Sequence, residues 1–301
     1  MSVKVNNLSK IYGTQRAVNS ISFEAKKGEI LGFLGPNGAG KTTTMKILTG
    51  FIPQSEGTAE VCGFDTETES MEVRRRIGYL PEHNPLYKDM YVREYLDFVA
   101  GLHGIKNKKK RVAEMVEMTG LTREQNKPIG ALSKGYRQRV GLSQAMMHDP
   151  EVLILDEPTS GLDPNQLVEI RSLIKQIGEQ RTVIFSTHIM QEVQALCDRV
   201  LIINKGNLVA DDAIDTLQQR VTGESVVTVE FAETTNAKKL QTIKGVKKVN
   251  ILKDKTFQLF ASADSDIRAE VFRYAVDNRL TLLGMQKEVF SVEDVFRKLT
   301  K

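Results

Sequence analysis

Gly35-Pro36-Asn37-Gly38-Ala39-Gly40-Lys41-Thr42-Thr43 is the stretch on which the reading of this chain turns. It fits the pattern G-x-x-x-x-G-K-[ST], and residues 29–34 before it are apolar enough for a buried strand. Glycines at this density let the backbone curl until successive N–H groups converge on one anion. The helix expected over 41–49, with Gly50 as its stop, aims its positive end at the same point. In such a loop Lys41 reaches the β- and γ-phosphates of a nucleotide, and the Thr42 hydroxyl is placed to ligate Mg²⁺.

Farther along, Val152-Leu153-Ile154-Leu155 reads as a buried strand that ends in Asp156-Glu157. Carboxylates at the carboxyl end of a strand sit where α/β sheets bind ligands. Asp156 would hold Mg²⁺ directly or through water, and Glu157 would polarise an attacking water as general base. Alone, the pair would read as a solvated acidic turn; beside a phosphate loop that reading loses.

Residues 182–186 and 200–203 are likewise apolar or β-branched at nearly every position, as strands covered on both faces must be. Alternating with helical patterns up to about residue 210, they predict an α/β fold with a parallel sheet. Asp163-Pro164 offers a helix N-cap with proline at the first position, and Gly178 lies where that helix should end. From Leu86 to about Leu132 helical patterns run without strong strands, which predicts a helical insert.

The sequence changes character after Arg220, with a boundary expected at Val221-Thr222-Gly223-Glu224. Beyond it Val227, Val229 and Phe231 alternate with polar residues, as do Phe257, Leu259 and Ala261, while Ile267, Val271 and Ala275 recur at helical spacing. The order reads β-α-β-β-α-β, a small α+β ferredoxin-like unit closed by a helix over 292–299. The expected organisation is thus a domain over 1–220, with a helical subdomain at about 86–135, and a second over 221–301.

The 301 residues, 41% hydrophobic and 27% charged, are those of an ordinary globular protein, and a net charge of +4 does not by itself argue for nucleic acid. Cys62 and Cys197 are far apart and read as reduced residues. Neither a secretory leader nor a run approaching ~18–20 apolar residues occurs, so contact with a membrane is expected from outside the lipid. Residues 106–111 and 74–76 are basic runs without interleaved aromatics, expected as solvated helix faces. His83, His103 and His148 lack metal-ligand spacing and are expected as surface or packing residues.

Four further segments carry a resemblance. Leu132-Ser133-Lys134-Gly135-Tyr136-Arg137-Gln138-Arg139 resembles the ABC ATPase signature, usually Leu-Ser-Gly-Gly-Gln. Ser160-Gly161-Leu162-Asp163 looks like the D-loop, Thr187-His188 like the switch histidine, and Tyr12 like the aromatic that stacks on adenine. With the phosphate loop and Asp156-Glu157 they follow the family's order from residue 1 to about 215.

The resemblance implies a P-loop NTPase core that binds and hydrolyses Mg-ATP. ATP would contact Tyr12 and residues Gly35, Pro36, Asn37, Gly38, Ala39, Gly40, Lys41, Thr42 and Thr43. Two such subunits, as a homo- or heterodimer, would pair head to tail, so that Ser133 and Gly135 touch a γ-phosphate held by the partner. His188 would bond the γ-phosphate and fix the water near Glu157. A separate integral membrane permease would be driven from the cytoplasmic face of the cell membrane, with no nucleic acid involved.

Two departures stand out. Glu82 occupies the Q-loop position where glutamine is usual, which keeps an oxygen for Mg²⁺ but adds negative charge. Lys134 and Tyr136 replace a usual glycine and glutamine, whereas Ser133 and Gly135 are kept, so hydrolysis is expected to persist. The second domain and Leu80-Pro81-Glu82 resemble ATPases of ABC-2-type systems, which export drugs, lipids or polymers or, in the gliding-motility type, serve movement. Two other readings stand beside the transport motor: a soluble ABC protein acting on ribosomes or DNA, and a nucleotide switch with negligible turnover. The first usually carries two cassettes or a long coiled-coil insert, and this chain has one cassette and neither.

Overall fold

The runs that are apolar at every position form the centre of a six-stranded sheet. The computed structural model describes residues 1–214, 224–262 and 265–288. They fall into two compact units, the first spanning Met1–Ile214 and the second the described residues beyond it.

The first unit begins with strands β1 (Val3–Tyr12), β2 (Gln15–Ala25) and β3 (Ile30–Leu34), then helix α1 (Lys41–Leu48). Strands β4 (Glu56–Val61) and β5 (Phe64–Asp65), helix α2 (Ser70–Arg76) and strand β6 (Ile77–Leu80) follow. Three helices come next, α3 (Val92–Leu102), α4 (Lys108–Met118) and α5 (Lys134–Met146), with a 3₁₀ turn at Ile129–Ala131 before the last. The unit closes with β7 (Val152–Asp156), α6 (Pro164–Gly178), β8 (Thr182–Thr187), α7 (Met190–Leu196), β9 (Arg199–Asn204) and β10 (Asn207–Ala213).

The large sheet has the order β10-β9-β3-β8-β7-β6, parallel throughout except for the antiparallel edge strand β10. Every residue of β3, β7 and β8 is buried. Leu34 pairs with Thr187 and Asp156 with Ser186, so the carboxyl ends of three adjacent strands finish level with one another. That shared edge positions the site. Asp163 caps α6 through its side chain, which accepts from the N–H groups of Asn165 and Gln166, and Gly178 is the last residue of the helix.

A second, antiparallel sheet, β2-β1-β4-β5, is not legible in the alternation of strands and helices. Its residues Val5, Leu8 and Phe23 share one core with Leu31 and Phe33 of β3 and with Met45 and Leu48 of α1. The Phe23 and Phe33 rings lie 5.6 Å apart between centroids. Burying each such side chain is worth roughly 1.5–3 kcal/mol, so α1 is clamped between two sheets.

Arg111 departs from the expectation of a solvated basic run. Its guanidinium is tucked in and donates to the carbonyls of Met146 (2.7 Å) and Met147 (2.8 Å), satisfying orphan acceptors at the end of α5. Gly78 marks a close approach: a Cβ there would lie 2.2 Å from the Ala145 carbonyl oxygen. Gly78→Ala should therefore force β6 and α5 apart and cost about 1–3 kcal/mol, read as a lower urea midpoint with an unchanged slope.

The second unit contains β11 (Glu224–Phe231), α8 (Ala237–Leu240), β12 (Lys248–Lys253), β13 (Thr256–Ser262), α9 (Arg268–Asp277) and β14 (Leu282–Glu288). The sheet is antiparallel in the order β12-β13-β11-β14, with Val227, Val229, Phe231, Leu259, Val271 and Ala275 in its core. Residues 221–223 of the expected boundary and the expected helix over 292–299 lie outside the described residues. Among the described residues no helix is long and apolar enough to cross a membrane.

Candidate functional site

The loop after β3 holds its curl because two of its glycines take conformations that other residues resist. Gly38 has φ 77° and Gly40 φ 111°, and a Cβ on Gly40 would lie 2.5 Å from the Ala17 carbonyl oxygen. Gly40 is the N-cap of α1 and provides no side-chain cap, and the first turn of α1 carries no acid. Its N–H groups are thus left to an incoming anion. Lys41 is 6% exposed, and its ammonium donates to the carbonyls of Gly35 (2.8 Å) and Pro36 (3.3 Å). A phosphate entering the loop competes with those two carbonyls for the same ammonium.

Opposite stands Glu157, just past the end of β7, in the left-handed region at φ 49°. A non-glycine residue costs about 1 kcal/mol there and is held by its surroundings. Its N–H donates to the Ser186 carbonyl at 3.1 Å. The carboxylate is gripped from both sides, with Lys41 Nζ 3.4 Å from Oε1 and His188 Nδ1 2.8 Å from Oε2. Asp156 is fully buried beneath, and Ser186 donates its hydroxyl to Oδ1. Among the described residues Oδ2 of Asp156 has no hydrogen-bond partner. An orphaned, buried carboxylate oxygen at this place fits a cation or its water shell.

His188 is steadied from below. The Thr187 hydroxyl donates to Glu192 Oε2 at 2.6 Å and accepts the Ile189 N–H at 3.0 Å. Glu192 is fully buried, with Arg171 Nη2 4.0 Å from its other oxygen. Nearby, burial pushes the Tyr79 phenol up, and the charges of Asp156 and Glu82 add to the shift, so it stays protonated.

A cleft of about 580 Å³ opens over these groups. Its wall brings together Tyr12, Asn37, Gly38, Ala39, Gly40, Lys41, Thr42, Thr43, Glu82, Glu157 and His188. Tyr12 is half exposed at the wall, with Lys10 Nζ 5.3 Å from its ring centroid. Gly35 and Pro36 contribute through the carbonyls that hold Lys41. Ser133 and Gly135 are not part of this wall. They stand at the start of α5, where exposed Ser133 accepts the Tyr136 N–H at 3.3 Å and a Cβ on Gly135 would strike Gln166.

Gln15 and Ala17 of β2 also line the cleft, as does Ser160. No local pattern marks the first two: they reach the site through the folding of the antiparallel sheet. A second cleft of about 730 Å³ in the same unit is lined by aromatics, among them Phe51, Tyr79, Tyr87 and Phe98, with Pro85. At its edge His103 and His148 stack with ring centroids 4.2 Å apart. Burial and the neighbouring ring push His148 down to about 4, so the pair is uncharged at neutral pH and serves packing. Among the described residues no cluster of three or more metal-ligating side chains occurs.

The family model described as ABC transporter matches residues 18–160. Over 305 residues the chain is 33% identical to the linearmycin resistance ATP-binding protein LnrL of Bacillus subtilis (strain 168), covering 99% of this chain and 98% of that one. It is 41% identical over 220 residues to the bacitracin transport ATP-binding protein BcrA of Bacillus licheniformis, covering 72% of each. A dimeric structure of the ATP-binding cassette MJ0796 in a post-hydrolysis state, bound to ADP and Pi, superposes with a TM-score of 0.65 at 24% identity, covering 70% of this chain and 98% of that one.

Proposed function

Because the chain belongs to the ATP-binding proteins of ABC transporters, which are ATPases, we propose that it drives a separate membrane permease as one half of an ATP-clamped dimer. The observation that carries this reading is a split site. One cleft holds the phosphate loop, Glu157 and His188, while Ser133 and Gly135 stand outside it at the start of α5. A head-to-tail second subunit would bring its own Ser133 and Gly135 to the mouth of that cleft. That the MJ0796 cassette is a dimer supports pairing as such.

In this reading Lys41 leaves the Gly35 and Pro36 carbonyls for the β- and γ-phosphates, and Tyr12 stacks on the base. Thr42, Asp156 and Glu82 would hold Mg²⁺, which would supply positive charge to offset the negative charge that develops on the phosphates. Glu157 takes the proton of the attacking water at its carboxylate, and His188 orients that water toward the γ-phosphate. Once the γ-phosphate is gone the interactions that favour the closed dimer go with it, so hydrolysis reopens the pair. The domain division belongs to the same proposal: residues 1–220 as the motor and 221–301 as an appended unit.

The aromatic cleft supports a permease as partner. Phe51 and Leu102 are each 71% exposed on it, and Tyr79 and Pro85 bracket Glu82 in the sequence. A protein segment seated there would press on the loop that lines the ATP cleft, coupling the two. The names of the relatives, a resistance protein and a bacitracin transport protein, support an exporter of the ABC-2 type, with the gliding-motility type as the second reading. The chain would then act peripherally at the cytoplasmic face of the cell membrane.

The test is to purify Glu157→Gln protein through an affinity tag from detergent-solubilised native membranes in Mg-ATP. A multi-span membrane protein should accompany it in near-equal amount. Ribosomal proteins or nucleic acid without such a partner would overturn the motor reading.

A further inference from the structure

We propose that Lys134 reaches across the ATP-bound dimer and places its ammonium on the triphosphate held by the other subunit. The inference rests on the clamped-dimer reading above and adds a residue to it. Lys134 is the first residue of α5, directly after the N-cap Ser133, and it is exposed. For an isolated chain this is the wrong place for a cation. The helix N-terminus already carries partial positive charge, and a lysine there is unfavourable. No acid lies in the first turn of α5 to offset it.

The neighbouring cations are all engaged. Arg137 donates to the Leu132 carbonyl, and Arg139 to the Thr119 carbonyl and the Glu169 carboxylate. Lys134 has no ion-pair partner among the described residues. Its ammonium lies instead over Gly161, where a Cβ would come within 2.3 Å of Nζ. Gly161 has φ 67°, so the loop from Glu157 to Asp163 keeps its one residue without a side chain where the lysine passes. The bland alternative is a solvated lysine, which would account for the exposure. It gives no reason for an uncompensated charge at a helix start beside the serine assigned to the γ-phosphate. Local conflicts of this kind are expected where function requires them.

Lys134 does not line the cleft of its own chain, so a phosphate that meets its ammonium has to be one presented by another molecule. The phosphate tail on a second copy meets that requirement, because the same approach brings Ser133 to it. An ammonium there binds the closed state more tightly than the open one and so favours ATP-driven pairing.

The experiment measures the monomer–dimer constant of Glu157→Gln protein by light scattering in saturating Mg-ATP, at low and high NaCl. Adding Lys134→Met should weaken pairing about tenfold or more at low salt and flatten its salt dependence, because a hydrogen bond between charged groups is worth roughly that factor and is screened by salt. Lys134→Arg should restore most of both. Fluorescent-ATP binding to the monomer should be unchanged in all three proteins, which separates the effect from misfolding. Equal pairing and an equal salt slope with and without Lys134 would overturn the proposal. A Glu157→Gln protein that stays monomeric would overturn the dimer reading itself, and this inference with it.

Discussion

Glu157→Gln should bind ATP and release phosphate about 10²–10⁴-fold more slowly than the unaltered chain, the range that a general base supplies. The substitution keeps the shape and removes the charge. The amide oxygen still faces the Lys41 ammonium, now 3.4 Å from Oε1, and the other terminus still meets His188 Nδ1 at 2.8 Å, so the cleft should keep its form. What disappears is the ability to take a proton from water, together with the charge that faces Lys41, whose ammonium keeps its bonds to the Gly35 and Pro36 carbonyls. The left-handed backbone at Glu157, secured by its N–H bond to Ser186, is no worse for glutamine than for glutamate. Single-turnover hydrolysis of γ-labelled ATP, with binding measured in parallel, checks both halves of the expectation. Turnover within a few-fold of the unaltered protein would remove Glu157 from the role of base and leave it as a structural partner of Lys41.

The parts of this site that the sequence discloses are those whose physics is local. A phosphate loop needs its glycines and its lysine in one continuous stretch, so Gly35 to Thr43 is legible at sight. Strands buried on both faces announce themselves as unbroken apolar runs, and the structure has β7, β8 and β9 at residues 152–155, 182–186 and 200–203, each one or two residues longer. The alternation in β11 and β13 is equally plain, because one face of that sheet packs on helices and the other does not.

The antiparallel sheet is hidden for a physical reason. Strand β1 shifts register against β2 between Val5 and Leu8 and again between Leu8 and Lys10, which breaks the two-residue period. Long-range partners are hidden too. Nothing near Thr187 in sequence tells that Arg171 approaches Glu192 from a different helix, or that Ala17 closes over Gly40. The basic run at 106–111 misleads because Arg111 spends its donors on carbonyls at the far end of α5, an arrangement no spacing rule contains.

Lys41→Ala should abolish tight ATP binding and, less obviously, should lower the stability of the nucleotide-free protein. Binding fails because the ammonium is the one cation lining the phosphate loop among the described residues, and charge-assisted hydrogen bonds to phosphate are about twice as strong as neutral ones. Stability falls because Lys41 and Glu157 are each 6% exposed and face each other at 3.4 Å. Removing one member of a buried pair leaves the other charged and uncompensated, at a cost of about 3 kcal/mol or more. His188 is the only other cationic candidate beside Glu157 among the described residues, and it neutralises the carboxylate only when protonated. The double substitution Lys41→Ala with Glu157→Gln separates the two effects: it should regain most of the stability, since no charge is left stranded, and regain none of the binding. Urea denaturation without nucleotide and titration with a fluorescent ATP analogue read them independently. If Lys41→Ala alone unfolds at the same urea concentration as the unaltered chain, the Lys41–Glu157 pair contributes nothing to the resting fold. The arrangement of the cleft must then be held by the glycine backbone and by the Ser186 and Thr187 bonds alone.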